Sequence, residues 1–169
     1  MIDELYPDRL LRYRYARIKS RDRLRIWIHH LVLNSLKVSG YPRNSLLVGL
    51  DPGNSKEPVW AAWDYVPVEN SEEILENLLG LFWSGLVKPA HFFPESSWIY
   101  VHTLLEKKQP SEVAIEKALY NWKGSDYHRG ECEDAYYDLC FKDTDPFDSE
   151  FQHASEKVFN PLLAHQKEI

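Results

Sequence analysis

The spacing of the apolar residues changes several times within the first 87 residues, and these changes restrict the chain to folds that mix strands and helices. Residues 9–19 alternate between apolar and polar, as in a strand, and residues 21–37 repeat with helical spacing. Two further strand-like runs, 45–51 and 59–68, lie on either side of a turn that contains Pro, Gly and Asn, and they predict a hairpin. A second helical pattern covers 71–87. This order predicts a mixed α/β core.

The faces of the first strand follow from its alternation. Arg12 and Arg14 share one face, whereas Leu11, Tyr13 and Tyr15 share the other, which is expected to point to the core. Both helices are predicted to cover the sheet with apolar stripes. The stripe of the first helix is formed by Leu24, Trp27, Ile28, Leu31 and Leu36, and that of the second by Ile74, Leu75, Leu78, Leu79, Leu81, Phe82 and Leu86.

The second half of the chain reads as mostly helical. A further strand is predicted at 90–94, where Pro94 ends it. The predicted helices are 96–106, 110–122, 134–141 and 149–163. A chain of 169 residues fits one domain with one core. We therefore expect a single domain, 1–169, with an α/β core at 1–95 and a helical, acidic extension at 96–169.

Charge is distributed unevenly. Residues 1–25 hold eight Lys and Arg against four Asp and Glu, whereas residues 26–169 hold twelve against twenty-two. The whole chain is therefore not a general nucleic-acid binder, and its one basic element is local. Contact with DNA, docking onto the acidic stretch 126–150 or a partner subunit, and a plain solvated surface all fit this element. The nucleic-acid-binding candidates are Arg12, Arg14, Arg17, Lys19, Arg21 and Arg23.

Signatures of catalysis are absent from the sequence. There is no Gly-x-Ser-x-Gly elbow and no phosphate-binding Gly-Lys-Ser/Thr loop. Cys132 and Cys140 lack the further nearby ligands that a zinc site needs, and free thiols are the favoured interpretation. We expect no catalytic residue, no metal and no cofactor. The N-terminus has no signal-peptide pattern, and no apolar run approaches the roughly 20 residues of a membrane helix, so a cytoplasmic location is expected.

Several short sequence motifs, which occur in the same order along the chain, resemble the C-terminal part of the exodeoxyribonuclease V gamma subunit. This is the RecC family of RecBCD-type helicase–nucleases. The motifs are LLRYRYARIKSRDRLRIWIHHLVLNSL (10–36), FFPESSW (92–98), GECEDAYYDLCF (130–141), DPF (145–147) and VFNPLLAHQ (158–166). The resemblance implies a restriction-endonuclease-like core, of the PD-(D/E)XK type, that is catalytically degenerate and carries a C-terminal helical extension.

The residues at the expected catalytic positions agree with a core that has lost its nuclease site. Asp51 and Asp64 occupy strand positions where metal-binding acids of this fold could sit, but the position two residues after Asp64 is Val66 and not Lys. The helix at 71–87 contains neither Gln nor Tyr. Two carboxylates and a Lys are what such a Mg²⁺ site needs.

The resemblance also implies a function: a non-catalytic element that guides DNA or splits the duplex in double-strand-break repair and recombination. It implies sibling RecB- and RecD-like subunits as partners, and single-stranded or forked DNA as a ligand that is bound weakly by the chain alone. The chain would then be a fragment of a larger subunit. Two alternatives stay open: a stand-alone Mg²⁺-dependent nuclease of the same fold with relocated catalytic residues, and a protein-interaction domain that does not touch DNA.

Overall fold

The computed structural model describes residues 4–36, 38–53, 57–142 and 144–169. Residue 37 of the first predicted helix and residues 54–56 of the predicted turn lie outside the described residues. The strands are β1 (Arg9–Arg17), β2 (Asn44–Leu50), β3 (Trp60–Tyr65) and β4 (Gln166–Glu168), and the helices are α1 (Ser20–Ser35), α2 (Ser71–Val87), α3 (Pro94–Leu105), α4 (Ser111–Lys123), α5 (Ala135–Phe141) and α6 (Ser149–His165), with a 3₁₀ turn at Glu131–Glu133.

The predicted α/β class is confirmed by one four-stranded mixed sheet. Its order is β1-β2-β3-β4, with β1 parallel to β2 and both other pairs antiparallel. The strand predicted at 90–94 is wrong, because Pro94 is the first residue of α3 and the preceding residues form no ladder. The edge strand β4 was not predicted, since its sequence QKE has no strand pattern.

The chain divides into two compact units. Unit 1 consists of Met1–Asn77 and Pro161–Ile169, and unit 2 of Leu78–Asn160. Unit 1 contains the sheet and α1, and unit 2 contains α3, α4 and α5. The boundaries of the units fall inside α2 and α6.

In unit 1, α1 packs on one face of the sheet. Trp27 and Leu31 are fully buried, as predicted, whereas Ile28 and Leu36 of the predicted stripe are exposed. The buried stripe also contains polar side chains. His30 contacts Ser45 Oγ at 2.8 Å and the Val66 carbonyl oxygen at 3.0 Å. Burial lowers the pKa of His30 to about 4. His30 is therefore neutral in the folded protein at pH 7.

Asn34 extends this network of buried polar groups. Its Nδ2 donates to the Arg43 carbonyl oxygen at 3.0 Å, and its Oδ1 accepts from the Val68 backbone N–H at 3.1 Å. The backbone on either side of the β2–β3 hairpin is thus tied to α1. A hydrogen-bonded network of this kind fixes one arrangement of the core more narrowly than apolar contacts do.

The core of unit 2 is a cluster of aromatic rings centred on Phe93, which is fully buried. Its ring centroid lies 4.2 Å from that of Trp122. The other rings around Phe93 are those of Tyr137, Phe141, Phe147 and Phe151. Tilted and edge-on ring pairs at these distances are favourable beyond the apolar area they bury.

Glu131 closes the N-terminal end of α3 within unit 2. Its carboxylate accepts hydrogen bonds from the backbone N–H groups of Glu95 and Ser96, at 3.0 and 2.8 Å, and from Ser96 Oγ at 2.6 Å. A carboxylate placed here satisfies two N–H groups that the helix leaves without partners. Gly130 lets the turn approach closely, since a Cβ there would lie 2.4 Å from the Trp122 carbonyl oxygen.

Candidate nucleic-acid interface

The predicted basic residues follow the edge strand β1 and the first turns of α1. Arg14, Arg17, Lys19 and Arg21 have exposed side chains, and Arg12 is half-buried. An edge strand that carries cations is also a common device against unwanted strand pairing. The geometry around each side chain therefore decides how far it can serve a ligand.

Asp22 joins the end of β1 to the start of α1. Its two carboxylate oxygens accept hydrogen bonds from Arg14 Nη1 at 2.7 and 2.8 Å. Its Oδ2 also accepts from the Lys19 backbone N–H at 2.9 Å, which completes the helix start. Arg14 is consequently held in place on the surface, with part of its charge compensated by Asp22.

Arg12 is held more deeply than Arg14. Its Nη1 lies 3.5 Å from a Glu4 carboxylate oxygen, and its Nη2 donates to His29 Nδ1 at 3.5 Å. Both arginines thus have an acid partner close by in the sequence. Further along, at the junction of β1 and α1, Arg17, Lys19 and Arg21 are exposed.

The side chain of Arg23 is buried in the core of unit 1 and is not on the surface. Its side chain is 3% exposed, its Nη1 donates to Gln166 Oε1 at 2.8 Å, and its guanidinium carbon lies 4.1 Å from the centre of the Trp63 ring. Tyr65 also donates to Gln166 Oε1, at 2.9 Å, and burial raises the pKa of Tyr65. Arg23 therefore contributes packing and a cation–π contact to unit 1.

The sequence carried a signal for this position of Arg23. Arg23, Trp27, His30 and Asn34 follow one another at helical spacing, so all four lie on the face of α1 that packs on the sheet. The charge of Arg23 suggested the surface, whereas its spacing indicated the core. DNA contact by the other basic residues stays a prediction.

A concavity of about 270 Å³ lies beside Arg12 and Arg14. Arg25, which belongs to the same basic segment, also lines it and has an exposed side chain. The complete lining is Glu4, Arg12, Tyr13, Arg14, Asp22, Arg25 and Leu47.

The expected burial of Tyr13 and Tyr15 is wrong. The two tyrosines are 65% and 74% exposed. The alternation itself holds, because Arg12 and Arg14 contact residues of α1 while the tyrosines occupy the opposite face of β1. The core forms on the side that α1 covers, and this is the side of the arginines.

The two acids considered for a nuclease site lie at opposite ends of the β2–β3 hairpin. Asp64 is paired in register with Leu46, and Asp51 is five positions further along the chain from Leu46, next to the turn. Five strand positions correspond to about 16 Å. Metal-binding carboxylates must instead converge to within about 2.5 Å of one ion. Asp51 Oδ1 accepts from the Gly53 backbone N–H at 2.9 Å, which is the geometry of a turn residue.

Metal-binding and membrane-spanning features were sought over the described residues. In this part of the chain no three His, Cys, Asp or Glu side chains are grouped as ligands of one metal ion. Cys132 and Cys140 are free thiols, and burial is the main cause that raises the pKa of Cys132. None of the helices, as far as the described ranges extend, has the length and apolar character needed to span a bilayer.

Comparison with known proteins identifies the family. The profile of the RecC C-terminal domain matches residues 1–105, which include the whole basic segment and the β2–β3 hairpin. The chain belongs to the RecC C-terminal domain family. The resemblance seen in the sequence motifs is therefore confirmed.

Two curated relatives extend the match beyond residue 105. The RecBCD enzyme subunit RecC of Buchnera aphidicola subsp. Schizaphis graminum is 27% identical over 98% of this chain. That of Buchnera aphidicola subsp. Acyrthosiphon pisum is 25% identical over 80%. The chain spans 15% and 12% of the lengths of these two proteins.

Proposed function

We propose that this chain is a non-catalytic, DNA-guiding element of a RecBCD-type complex in double-strand-break repair and recombination. Membership of the RecC C-terminal domain family supports the role in repair and recombination. The observation that carries DNA contact is the group of exposed cations where β1 meets α1, formed by Arg17, Lys19 and Arg21, in a chain that is otherwise acidic. Such a local patch gives weak, salt-dependent binding through phosphates. A cytoplasmic location is part of this proposal.

Binding should be measured by fluorescence anisotropy with labelled single-stranded and forked DNA over a range of salt. We expect a Kd on the order of 1–100 µM that weakens as salt rises, because each phosphate contact releases counterions. The double variant Lys19→Glu/Arg21→Glu should lose affinity for all sequences alike. Its salt slope should flatten by about one unit per lost phosphate contact.

The matched control is Lys107→Glu/Lys142→Glu. Both lysines are exposed and lie in unit 2, so this variant changes the net charge by the same amount at another place. Equal losses in the two double variants would mean that overall charge, and not the patch, governs binding. Unchanged binding in Lys19→Glu/Arg21→Glu would refute the DNA-guiding proposal.

We further propose that the α/β core is a degenerate version of the restriction-endonuclease-like fold. The β1-α1-β2 unit with parallel strands, followed by an antiparallel β3, agrees with such a mixed core. The separation of Asp51 from Asp64 along the hairpin supports the absence of nuclease activity. Linear duplex and single-stranded DNA should stay intact with Mg²⁺ or Mn²⁺. Cleavage that disappears with Asp51→Ala or Asp64→Ala would favour the nuclease alternative.

A second candidate function, protein docking, is favoured by the C-terminal half of α2. Residues predicted to cover the sheet here are instead exposed, together with two neighbours. Each of these side chains is between 54% and 89% exposed, and they are Leu79, Phe82, Trp83, Leu86 and Val87. An apolar helix face of this size usually marks an interaction surface. Beside it lies a concavity of about 310 Å³. It is lined by the end of α2, by Lys88, Ala90 and His91, and by the start of α6.

We propose that this helix face packs against a sibling RecB- or RecD-like subunit. Co-expression with these subunits and affinity purification tests the idea. Trp83→Asp should reduce the recovered complex, because an aspartate would be buried without a partner at the interface. Tyr127→Asp is the control, since Tyr127 is an aromatic residue of unit 2 that is 98% exposed. Full recovery with Trp83→Asp would exclude this face as the contact.

A further inference from the structure

The sheet of unit 1 has one covered face and one open face. The covered face carries Leu10, Leu47 and Trp63, which are at most 3% exposed. Register pairing defines the open face. Tyr13 is opposite Val48, which is opposite Ala62, and Leu50 is opposite Trp60, so all five lie on the same side. Val48, Leu50 and Ala62 are half-buried.

Three aromatic rings stand on this open face. Tyr13 and Tyr15 of β1 are 65% and 74% exposed, and Trp60 of β3 is 55% exposed. The ring centroids of Tyr15 and Trp60 are 5.6 Å apart, with an angle of 44° between the rings. The rings rise from a floor of smaller apolar residues. Such a surface offers flat, water-exposed π faces, and this is what planar ligands stack on.

The end of the edge strand β1 brings positive charge to this face. Arg17, the last residue of β1, is in register with Leu50 of this face, and Lys19 follows two residues later. Lys167 of β4 is in register with Asp64, which is the acid on this face among the described residues of the four strands. Asp64 lies two positions beyond Ala62, away from the Tyr15–Trp60 pair. A ligand that combines planar rings with a negatively charged backbone fits the aromatic end of this face.

We propose that the open sheet face of unit 1 is a stacking platform for unpaired bases of single-stranded nucleic acid. Tyr13, Tyr15 and Trp60 stack on bases, while the cations of the β1 edge and its junction with α1 contact the phosphates. A duplex hides the faces of its bases, so the platform distinguishes separated strands from duplex DNA. The inference rests on the proposed DNA-guiding function and names the part of the DNA that unit 1 reads.

The experiment compares two labelled ligands of equal length and charge: a thymidine oligomer and an abasic oligomer with the same phosphate backbone. Anisotropy is measured for the parent chain, Tyr15→Ala and Trp60→Ala. All of these residues are exposed, so the variants are expected to fold, and circular dichroism checks this. Trp60→Phe tests rescue by another ring, and Tyr136→Ala, at an exposed tyrosine of unit 2, is the control.

We expect the parent to bind the thymidine oligomer more tightly than the abasic one. Tyr15→Ala and Trp60→Ala should each weaken thymidine binding roughly 5-fold or more, which is the effect of losing one stacked base. Their affinity for the abasic oligomer should not change. Trp60→Phe should retain most of the affinity, and Tyr136→Ala all of it.

The possible failures separate the two proposals. Equal binding of the two oligomers by the parent would overturn the stacking platform and leave phosphate contact by the basic patch intact. No binding of either oligomer would overturn both. If Tyr15→Ala and Trp60→Ala bind thymidine normally but lose association with sibling subunits, the face is a protein-contact surface, and the stacking platform is again refuted.

Discussion

Unit 1 and unit 2 keep their cores together by different means. The interface between α1 and the sheet in unit 1 contains Arg23, His30 and Asn34, all buried and hydrogen-bonded. Unit 2 instead surrounds Phe93 with aromatic rings. Polar networks depend on each donor meeting its acceptor, whereas ring clusters depend mainly on filled volume. We therefore expect the stability of unit 1 to depend on pH and to fall with single substitutions of its buried polar residues. The stability of unit 2 should instead fall when buried side-chain volume is removed.

The largest effect is expected from removing the central ring of unit 2. Phe93→Ala should lower the free energy of unfolding by about 3–5 kcal/mol, because it leaves a cavity that the surrounding rings cannot fill. Urea denaturation followed by circular dichroism measures the loss. Tyr127→Ala, at a tyrosine that is 98% exposed, should be nearly neutral. A cost below about 1 kcal/mol for Phe93→Ala would show that the cluster does not hold unit 2 together.

The second-largest effect is expected from the pH dependence of the stability of unit 1. The folded-state pKa of His30 is about 4, below its ordinary value of 6.5. Between these values the unfolded chain binds more protons than the folded one, so stability is fully present above pH 6.5 and falls as the pH drops toward 4. The loss amounts to about 3 kcal/mol. Urea denaturation at several pH values should show this decrease in the free energy of unfolding for the parent chain but not for His30→Gln. The control His153→Gln, at an exposed histidine, should show the same decrease as the parent.

Arg23 tests whether the buried cation stabilises the fold. Arg23→Ala should cost roughly 2–3 kcal/mol, because it removes a charged hydrogen bond to Gln166 and a cation–π contact with Trp63. Arg21→Ala, two residues earlier on the same helix but exposed, should change stability by less than about 0.5 kcal/mol. Similar values for the two variants would contradict the core position of Arg23.

The smallest effect is expected from Glu131, the carboxylate at the N-terminal end of α3 in unit 2. Glu131→Ala should cost about 1–2 kcal/mol, since the N–H groups of Glu95 and Ser96 lose their acceptor. Glu131→Gln keeps an acceptor oxygen and should cost less. If both variants matched the parent in urea denaturation, the cap would be dispensable and unit 2 would depend on its rings alone.

Local patterns were sufficient for much of the fold. The bounds of α2, 71–87, agree with the prediction, and the predicted hairpin corresponds to β2 and β3. Both follow from spacing and turn residues that act over a few positions. Three of the motifs that indicated the family contribute to the same structure in unit 2. They are FFPESSW, GECEDAYYDLCF and DPF. They supply Phe93, Phe141 and Phe147 to the core and Glu131 to the helix cap.

What sequence reasoning missed depends on contacts between distant residues. β4 is a strand because it pairs with β3, and its Gln166 meets Arg23, 143 positions away. The burial of Tyr13 was mispredicted because alternation separates two faces but does not say which one a helix will cover. The exposed side of α2 was missed for the same reason: spacing shows that an apolar stripe exists but does not identify what lies against it.

The return of residues 161–169 to unit 1 has a consequence for how the chain folds during synthesis. The ribosome makes β1, α1, β2 and β3 first, yet β4 and the acceptor oxygen for Arg23 and Tyr65 arrive only after all of unit 2 has been made. Until then the edge of β3 lacks its partner strand and Arg23 lacks the Gln166 oxygen to which it donates. Exposed strand edges promote aggregation. Unit 2 is continuous in sequence and can close earlier. In a released chain that ends at residue 160, unit 2 should therefore resist proteolysis more than unit 1 does.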